Sequence, residues 1–243
     1  MDPATPKSEN ELISEKRDIG EFIEEHAKDP LYQRKLKELQ KRYSAVRKTR
    51  ADGSCFYRGL VFAYLEFLIG KQQELVRFKD VVVRSKQELL AAVFQEHVIK
   101  QHYETFLSIV DSVAAEGSVS NLTRVFNHQL SSDSAVQFLR LVTSAFVRNR
   151  AEFYLPFVDE ETNIPDFCTQ HVEPMTSECD HVQMTALSQA LEISLQVECV
   201  DEMDTVINHH IFPEGASPSV FMLYKNNHYT ILYRVQPQGV DDL

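Results

Sequence analysis

The chain has no tryptophan, only seven glycines in 243 residues, and four cysteines (Cys55, Cys168, Cys179 and Cys199) without a C-x-x-C pair. With nine prolines besides, so little glycine excludes collagen-like and low-complexity chains. Few thiols at unpaired spacings exclude a disulfide miniprotein and suit a reduced compartment, so the expected location is the cytoplasm, and the nucleus with it. Long hydrophobic runs are missing too: none approaches the ~20 residues of a membrane span. No apolar segment follows Met1-Asp2-Pro3-Ala4-Thr5-Pro6-Lys7, so no secretory signal is expected.

Basic residues are scarce in one region only. The whole chain carries 25 Lys+Arg against 36 Asp+Glu, a net −11. Residues 151–243 hold sixteen acids and two bases (Lys225, Arg234), or −14, and the first 150 residues hold 20 acids and 23 bases, or +3. A bulk acidic balance argues against nucleic acid, where affinity comes from neutralising phosphates. The asymmetry suggests a partner with a basic contacting face.

What is present is core material: 43% of residues are hydrophobic and 10% aromatic. That is enough for one domain over residues 11–235, between a polar, flexible N-terminus (1–10) and a tail (236–243). Leu12, Ile13, Ile19, Phe22 and Ile23 recur at helical spacing up to Asp29-Pro30, and a second helix is expected over Leu31–Arg42. Eight Lys/Arg between Arg34 and Arg50 read as a solvated helix face rather than an anion-binding arm. Consecutive helices are predicted from Gln72 to about Phe157, with Ser85 to Glu88 as a capping box and a buried helix through Ala135, Phe138, Leu139, Val142 and Phe146. The period then changes. Leu195, Val197 and Cys199 mark a half-buried strand, and Val220–Tyr224 a strand covered on both faces. Asn226-Asn227 joins that strand to Tyr229–Tyr233 as an antiparallel hairpin, because Asn tolerates positive φ. The fold class is α+β, many helices with a small, mainly antiparallel sheet late in the chain.

The segment Asp52-Gly53-Ser54-Cys55-Phe56-Tyr57-Arg58 carries the chemistry. Asp-Gly-Ser is turn chemistry, Ser54 suits an N-cap, and Phe56–Ile69 reads as a helix closed by Gly70. Cys55 in its first turn meets unpaired N–H groups that favour a thiolate. The same amides, with those of Asp52, Gly53 and Ser54, would bind the oxyanion formed when a thiolate attacks a carbonyl. His228 opens the last strand and is the candidate base. Thr230 shares its face and could accept the imidazole N–H, and Thr49 and Asn227 are further polar supports. The bland alternatives are a small buried thiol and a structural histidine. Cys179, Asp180, His181, His209 and His210 match no four-ligand metal spacing.

Asp52–Arg58 and His228-Tyr229-Thr230-Ile231-Leu232-Tyr233 resemble the Cys box and His box of ovarian-tumour (OTU) deubiquitinases, above all of the otubains. Ile13–Lys16, Arg47–Thr49, Gln137–Leu141, Val172–Met175, Asp180-His181, Ala186–Leu191 and Ile211–Glu214 are similar to that family in the same order. The short N-terminus and Asp201–Thr205 resemble the short-armed otubains. The resemblance implies a papain-like OTU cysteine protease fold. Cys55 would be the nucleophile on the ubiquitin C-terminal carbonyl, His228 the general base and acid, and Asp52 a backbone shaper of the oxyanion loop. Ubiquitin contacts would lie in the helical insertion, roughly Glu96 to Phe157. It implies no metal or organic cofactor. The expected partners are ubiquitin and polyubiquitin, with ubiquitin-conjugating enzymes if the fold serves as a binding regulator; neither nucleic acid nor membrane is expected, and the protein should act as a monomer. This chain departs from the pattern at Ser54 (usually Asn), Ala51 (Gly or Pro) and Thr230 (Asp or Asn). A hydroxyl stabilises an imidazolium less than a carboxylate does, so slow turnover is expected. Asp201, Glu202 and Asp204 are expected to steer the basic ubiquitin tail.

Overall fold

A computed structural model describes residues 11–92, 94–159 and 162–236; the expectations for residues 1–10 and 237–243 lie outside them. In chain order the described elements are β1 (Arg17–Asp18), α1 (Ile19–Glu25), α2 (Pro30–Gln40), β2 (Tyr43–Arg47), α3 (Cys55–Leu68), α4 (Gln72–Ala91), α5 (Glu96–Glu116), α6 (Val119–Asn127) and α7 (Gln129–Arg148). Then come α8 (Ala151–Tyr154), α9 (Ile164–Phe167), α10 (His181–Leu191), β3 (Leu195–Cys199), β4 (Asn208–Phe212), β5 (Val220–Lys225) and β6 (His228–Arg234). The fold is α+β. Six strands form one sheet in the order β1-β2-β6-β5-β3-β4, antiparallel except for the parallel pair β3/β5.

The central helix α3 is buried from Cys55 to Leu65 and largely apolar, as a helix must be when little of it faces water. Phe56, Leu60, Val61 and Leu65 are buried between the sheet and the helices α4 to α7. Gly59 lets α3 approach the sheet: a Cβ there would meet Met222 Cε at 2.8 Å and Thr49 Cγ2 at 3.2 Å. On the opposite face of the sheet, α1 and α2 cover Leu223 and Leu232 with Phe22, Ile23, Leu36 and Leu39. β5 is therefore covered on both faces, as its unbroken apolar run predicts. Asn226 and Asn227, at φ 49° and 60°, make the predicted two-residue turn into β6.

Four expectations change. Four strands come late, but β1 and β2 come from the start of the chain, and Tyr43–Arg47, in the basic stretch expected to be a solvated helix face, is a strand. Leu12 and Ile13 precede the helix instead; Ile13 bridges to Thr49, and Leu12 O accepts from Arg50 N at 3.0 Å. Ser85 does not cap: it lies inside α4, and its hydroxyl donates to Val82 O at 2.7 Å. β3 is buried on both faces, since Glu198 accepts from Arg42 at 2.6 and 3.1 Å, from Tyr43 at 2.6 Å and from Gln196 at 2.7 Å. Charge pairing between distant segments overrides the local pattern in the last case.

The same pairing uses much of the charge asymmetry. Bases of the first 150 residues hold acids of the rest: Arg34 binds Asp204, Lys35 binds Asp201, Arg42 binds Glu198, Arg77 and Arg84 bind Glu192, and Arg148 binds Glu173. Lys35 and Arg47, expected on a solvated face, are almost fully buried. The Lys35 ammonium donates to Asp201 O at 3.1 Å and to its carboxylate at 2.6 Å. Asp201 and Asp204 are thus occupied within the chain, which removes two of the three acids expected to steer a basic tail.

Candidate active site

Cys55 is the first residue of α3, and its side chain is nearly buried. Burial pushes its thiol up from the usual value. The backbone amides of Tyr229, Phe56 and Cys55 itself pull it back, and the Asp52 carboxylate pushes it up further. The thiolate expected from the helix N-terminus alone is not the resting state that this balance favours, because desolvation outweighs the amides.

The turn before α3 is fixed atom by atom. Gly53 stands at φ +78°, and a Cβ there would lie 2.3 Å from Thr176 O, so only glycine fits between the two loops. The Asp52 carboxylate accepts from Ser54 N at 2.9 Å through Oδ1 and from Arg58 Nη2 at 2.8 Å through Oδ2. Asp52 thus acts through its side chain as well as its backbone. Its own amide donates to Arg50 O at 3.1 Å. Ser54 is not a side-chain cap; its hydroxyl donates to Met175 O at 2.7 Å. Of the expected oxyanion amides, those of Asp52 and Ser54 are therefore taken. Among the described residues, those of Gly53 and Cys55 carry no hydrogen bond to the protein.

His228 opens β6, opposite Lys225 across the hairpin. Burial lowers its pKa, Asp52 raises it, and Lys48 lowers it. The imidazole Nδ1 is buried and, among the described residues, has no hydrogen-bond partner. Thr230 is buried on the same side, and both line a cavity of about 350 Å³ with Phe22, Tyr32 and Lys48. No hydrogen bond joins the Thr230 hydroxyl to the ring, which corrects the expected orienting contact. Nor do the other two supports reach it. Thr49 Oγ1 donates to Tyr229 O at 2.5 Å, and Asn227 Oδ1 accepts from Tyr224 OH at 2.8 Å. These bonds hold the backbone and the turn around His228, not its imidazole.

Tyr229 follows His228 on β6 and packs its ring against Phe56 of α3, 5.1 Å between centroids, so the strand that carries His228 lies against the start of the helix that carries Cys55. A thiol at a helix start, preceded by the unpaired amide of Gly53 and with a desolvated histidine on the strand packed against that helix, can attack a carbonyl and hold the oxyanion that results. Among the described residues no group of three His, Cys, Asp or Glu is arranged to hold a metal; His181 and His210 face each other with rings 5.2 Å apart.

A family model described as Peptidase C65 Otubain matches residues 5–234. The chain belongs to the otubain family. It is 57% identical over 222 residues to the human ubiquitin thioesterase OTUB2, covering 91% of this chain and 95% of that protein. It is 42% identical over 228 residues to human ubiquitin thioesterase OTUB1, covering 93% and 84%. Its fold is shared with a solved complex of h/ceOTUB1, ubiquitin aldehyde and UBC13~Ub, at TM-score 0.87 and 23% identity, over 93% of this chain and 91% of that one.

Two groups of this otubain site escaped the sequence reading, which took them for motif letters or core. Arg58 and Arg140 are fully buried on α3 and α7 and reach the Cys55 turn from behind. A signal was present: Arg140 stands between Phe138-Leu139 and Leu141-Val142 on a helix expected to be buried, and an arginine buried there must find several acceptors.

Proposed function

We propose that this chain is a cysteine-type deubiquitinase that hydrolyses isopeptide bonds at the ubiquitin C-terminus. Its relatives in the otubain family are named ubiquitin thioesterases, and the observation that carries the reading is the Cys55 thiol at the start of α3, preceded by the unpaired Gly53 amide, with His228 on the strand packed against that helix. The imidazole would take the thiol proton as sulfur attacks the glycine carbonyl. The amides of Gly53 and Cys55 would receive the oxyanion, and the imidazolium would protonate the departing lysine amine. Water would then attack the thioester, giving its proton to His228 and restoring the thiol. The lowered pKa of His228 keeps it neutral, as a base must be.

The ubiquitin tail would enter along a cleft of about 590 Å³ that reaches Asn227 and Tyr229 and is lined by Asp159, Glu178 and Asp180. These acids, rather than Asp201 and Asp204, suit the two arginines of the tail. Phe157 lines it and Phe153 packs against Phe157, 5.8 Å between ring centroids; the two stand exposed, at 63% and 57%, and would take ubiquitin's apolar face. A second partner class is a ubiquitin-conjugating enzyme, since the same fold in h/ceOTUB1 is held with UBC13~Ub. Catalysis is the leading reading because the chain carries both Cys55 and His228. A ubiquitin probe with a thiol-reactive C-terminus tests it: a covalent adduct that vanishes in Cys55→Ala is expected. No adduct with the unaltered chain would overturn the reading.

A further inference from the structure

Arg140 sits in the middle of α7, wholly buried, with its guanidinium 4.3 Å from the centre of the Tyr57 ring. Its Nη2 donates to Gly53 O at 2.9 Å, Ser54 Oγ at 3.2 Å, Met175 O at 3.1 Å and Ser177 O at 2.8 Å, and its Nη1 donates to Val172 O at 2.9 Å. Every acceptor belongs to one of two segments, the turn before Cys55 or the stretch 172–177. No carboxylate is among them. An ordinary structural arginine would bring one acid into the core to pair with, whereas this one serves the backbone carbonyls of two loops.

The Gly53 contact has a particular consequence. A peptide unit is planar and trans, so its carbonyl and its amide point in opposite directions. Arg140 holds the carbonyl of the Gly53–Ser54 unit, and the Asp52 carboxylate holds its amide. Asp52 is held in turn by Arg58, whose Nη1 is anchored on Ser132 Oγ at 2.7 Å. Gly53, at positive φ, is the residue of this turn most able to rotate. If its carbonyl turned toward the thiol, a partly negative oxygen would face the oxyanion between the flanking Gly53 and Cys55 amides and oppose them.

We infer that Arg140 is a positioning residue for the oxyanion site: by binding the Gly53 carbonyl and the 172–177 segment together, it keeps the peptide units before Cys55 oriented with their donors available. It touches neither substrate nor sulfur. The inference rests on the cysteine-hydrolase reading above, because it assigns a role in the same reaction.

The test compares Arg140→Lys with the unaltered chain on ubiquitin carrying a fluorogenic C-terminal amide, with two controls. Lysine retains the charge but cannot reach both loops with one planar fork. We expect kcat to fall about 100-fold, the scale of losing an oxyanion donor, with KM within about twofold. Inhibition by ubiquitin aldehyde, which forms a tetrahedral adduct, should weaken in parallel. Alkylation of Cys55 by iodoacetamide, which passes through no oxyanion, should stay within about twofold. Should Arg140→Lys not fold, Ser54→Ala removes one of the same contacts at the turn and should lower kcat about tenfold with KM unchanged. Unchanged kcat in a folded variant, or a loss of kcat matched by equal losses in ubiquitin binding and alkylation, would overturn the assignment. If the unaltered chain fails to turn over, the underlying reading fails instead, so the two failures are told apart.

Discussion

On the cysteine side of the site, the turn Asp52-Gly53-Ser54 is tied to two buried arginines and to the 172–177 segment, and the amides of Gly53 and Cys55 are left without a partner among the described residues. On the histidine side, the imidazole follows an exposed Asn-Asn turn, Nδ1 is unpartnered, and the neighbouring Thr230 leaves it so. Pre-organised donors are most useful where charge develops, whereas a general base can be brought into line when substrate binds. The two sides therefore divide the work. The oxyanion half is built by the fold, and the base half is left to adjust. The electrostatics agree: burial raises the thiol and lowers the imidazole, so the resting pair is neutral rather than a thiolate–imidazolium pair.

The comparison is broken most severely on the rigid side. Gly53→Ala should abolish turnover, a loss of at least about 100-fold, because both the positive φ and the 2.3 Å approach to Thr176 O forbid a side chain. Steady-state kinetics checks this, with circular dichroism to show that the variant remains folded. Arg58→Met leaves Asp52 without its guanidinium and should cost about 3 kcal/mol of stability, read by urea denaturation, together with about tenfold in kcat. On the adjustable side the effect is smaller and of opposite sign. Thr230→Asp would place a carboxylate near an unpartnered imidazole and should raise kcat roughly threefold to tenfold. The pH profile gives its sign. In the unaltered chain the acid limb, set by neutral His228, should lie below the ordinary value of about 6.5. A carboxylate favours the charged ring, so Thr230→Asp should move that limb upward. Smallest of all, Asp204→Lys should change association with ubiquitin by less than about twofold at any salt concentration. Asp204 is an exposed partner of Arg34 and lies outside the acidic cleft.

Much of this was legible in the residues. Turn chemistry before a helix gave Cys55, strand alternation placed Thr230 on the face of His228, and the Asn pair gave the hairpin. These features are local, and local spacing decides them. The contacts of Arg140 with the turn before Cys55 and with the 172–177 segment, and of Arg58 with Ser132 on α7, were not legible, since each joins parts of the chain tens of residues apart. The pairing of Lys35 with Asp201 and of Arg42 with Glu198 was hidden for the same reason: charge composition gives the sum, and only the fold gives the partners. The distinction also explains the orienting contact. Sharing a strand face brings Thr230 near His228, but a short β-branched side chain has little freedom to reach the ring.

The most direct measurement is the pH dependence of Cys55 alkylation by iodoacetamide in the free protein, followed by mass spectrometry on the peptide that carries it. The account predicts a single rise with a midpoint above the ordinary thiol value, about 9. A plateau of fast alkylation from pH 5 to 8 would reveal a resting thiolate–imidazolium pair, and would contradict the division between a finished oxyanion side and an adjustable base.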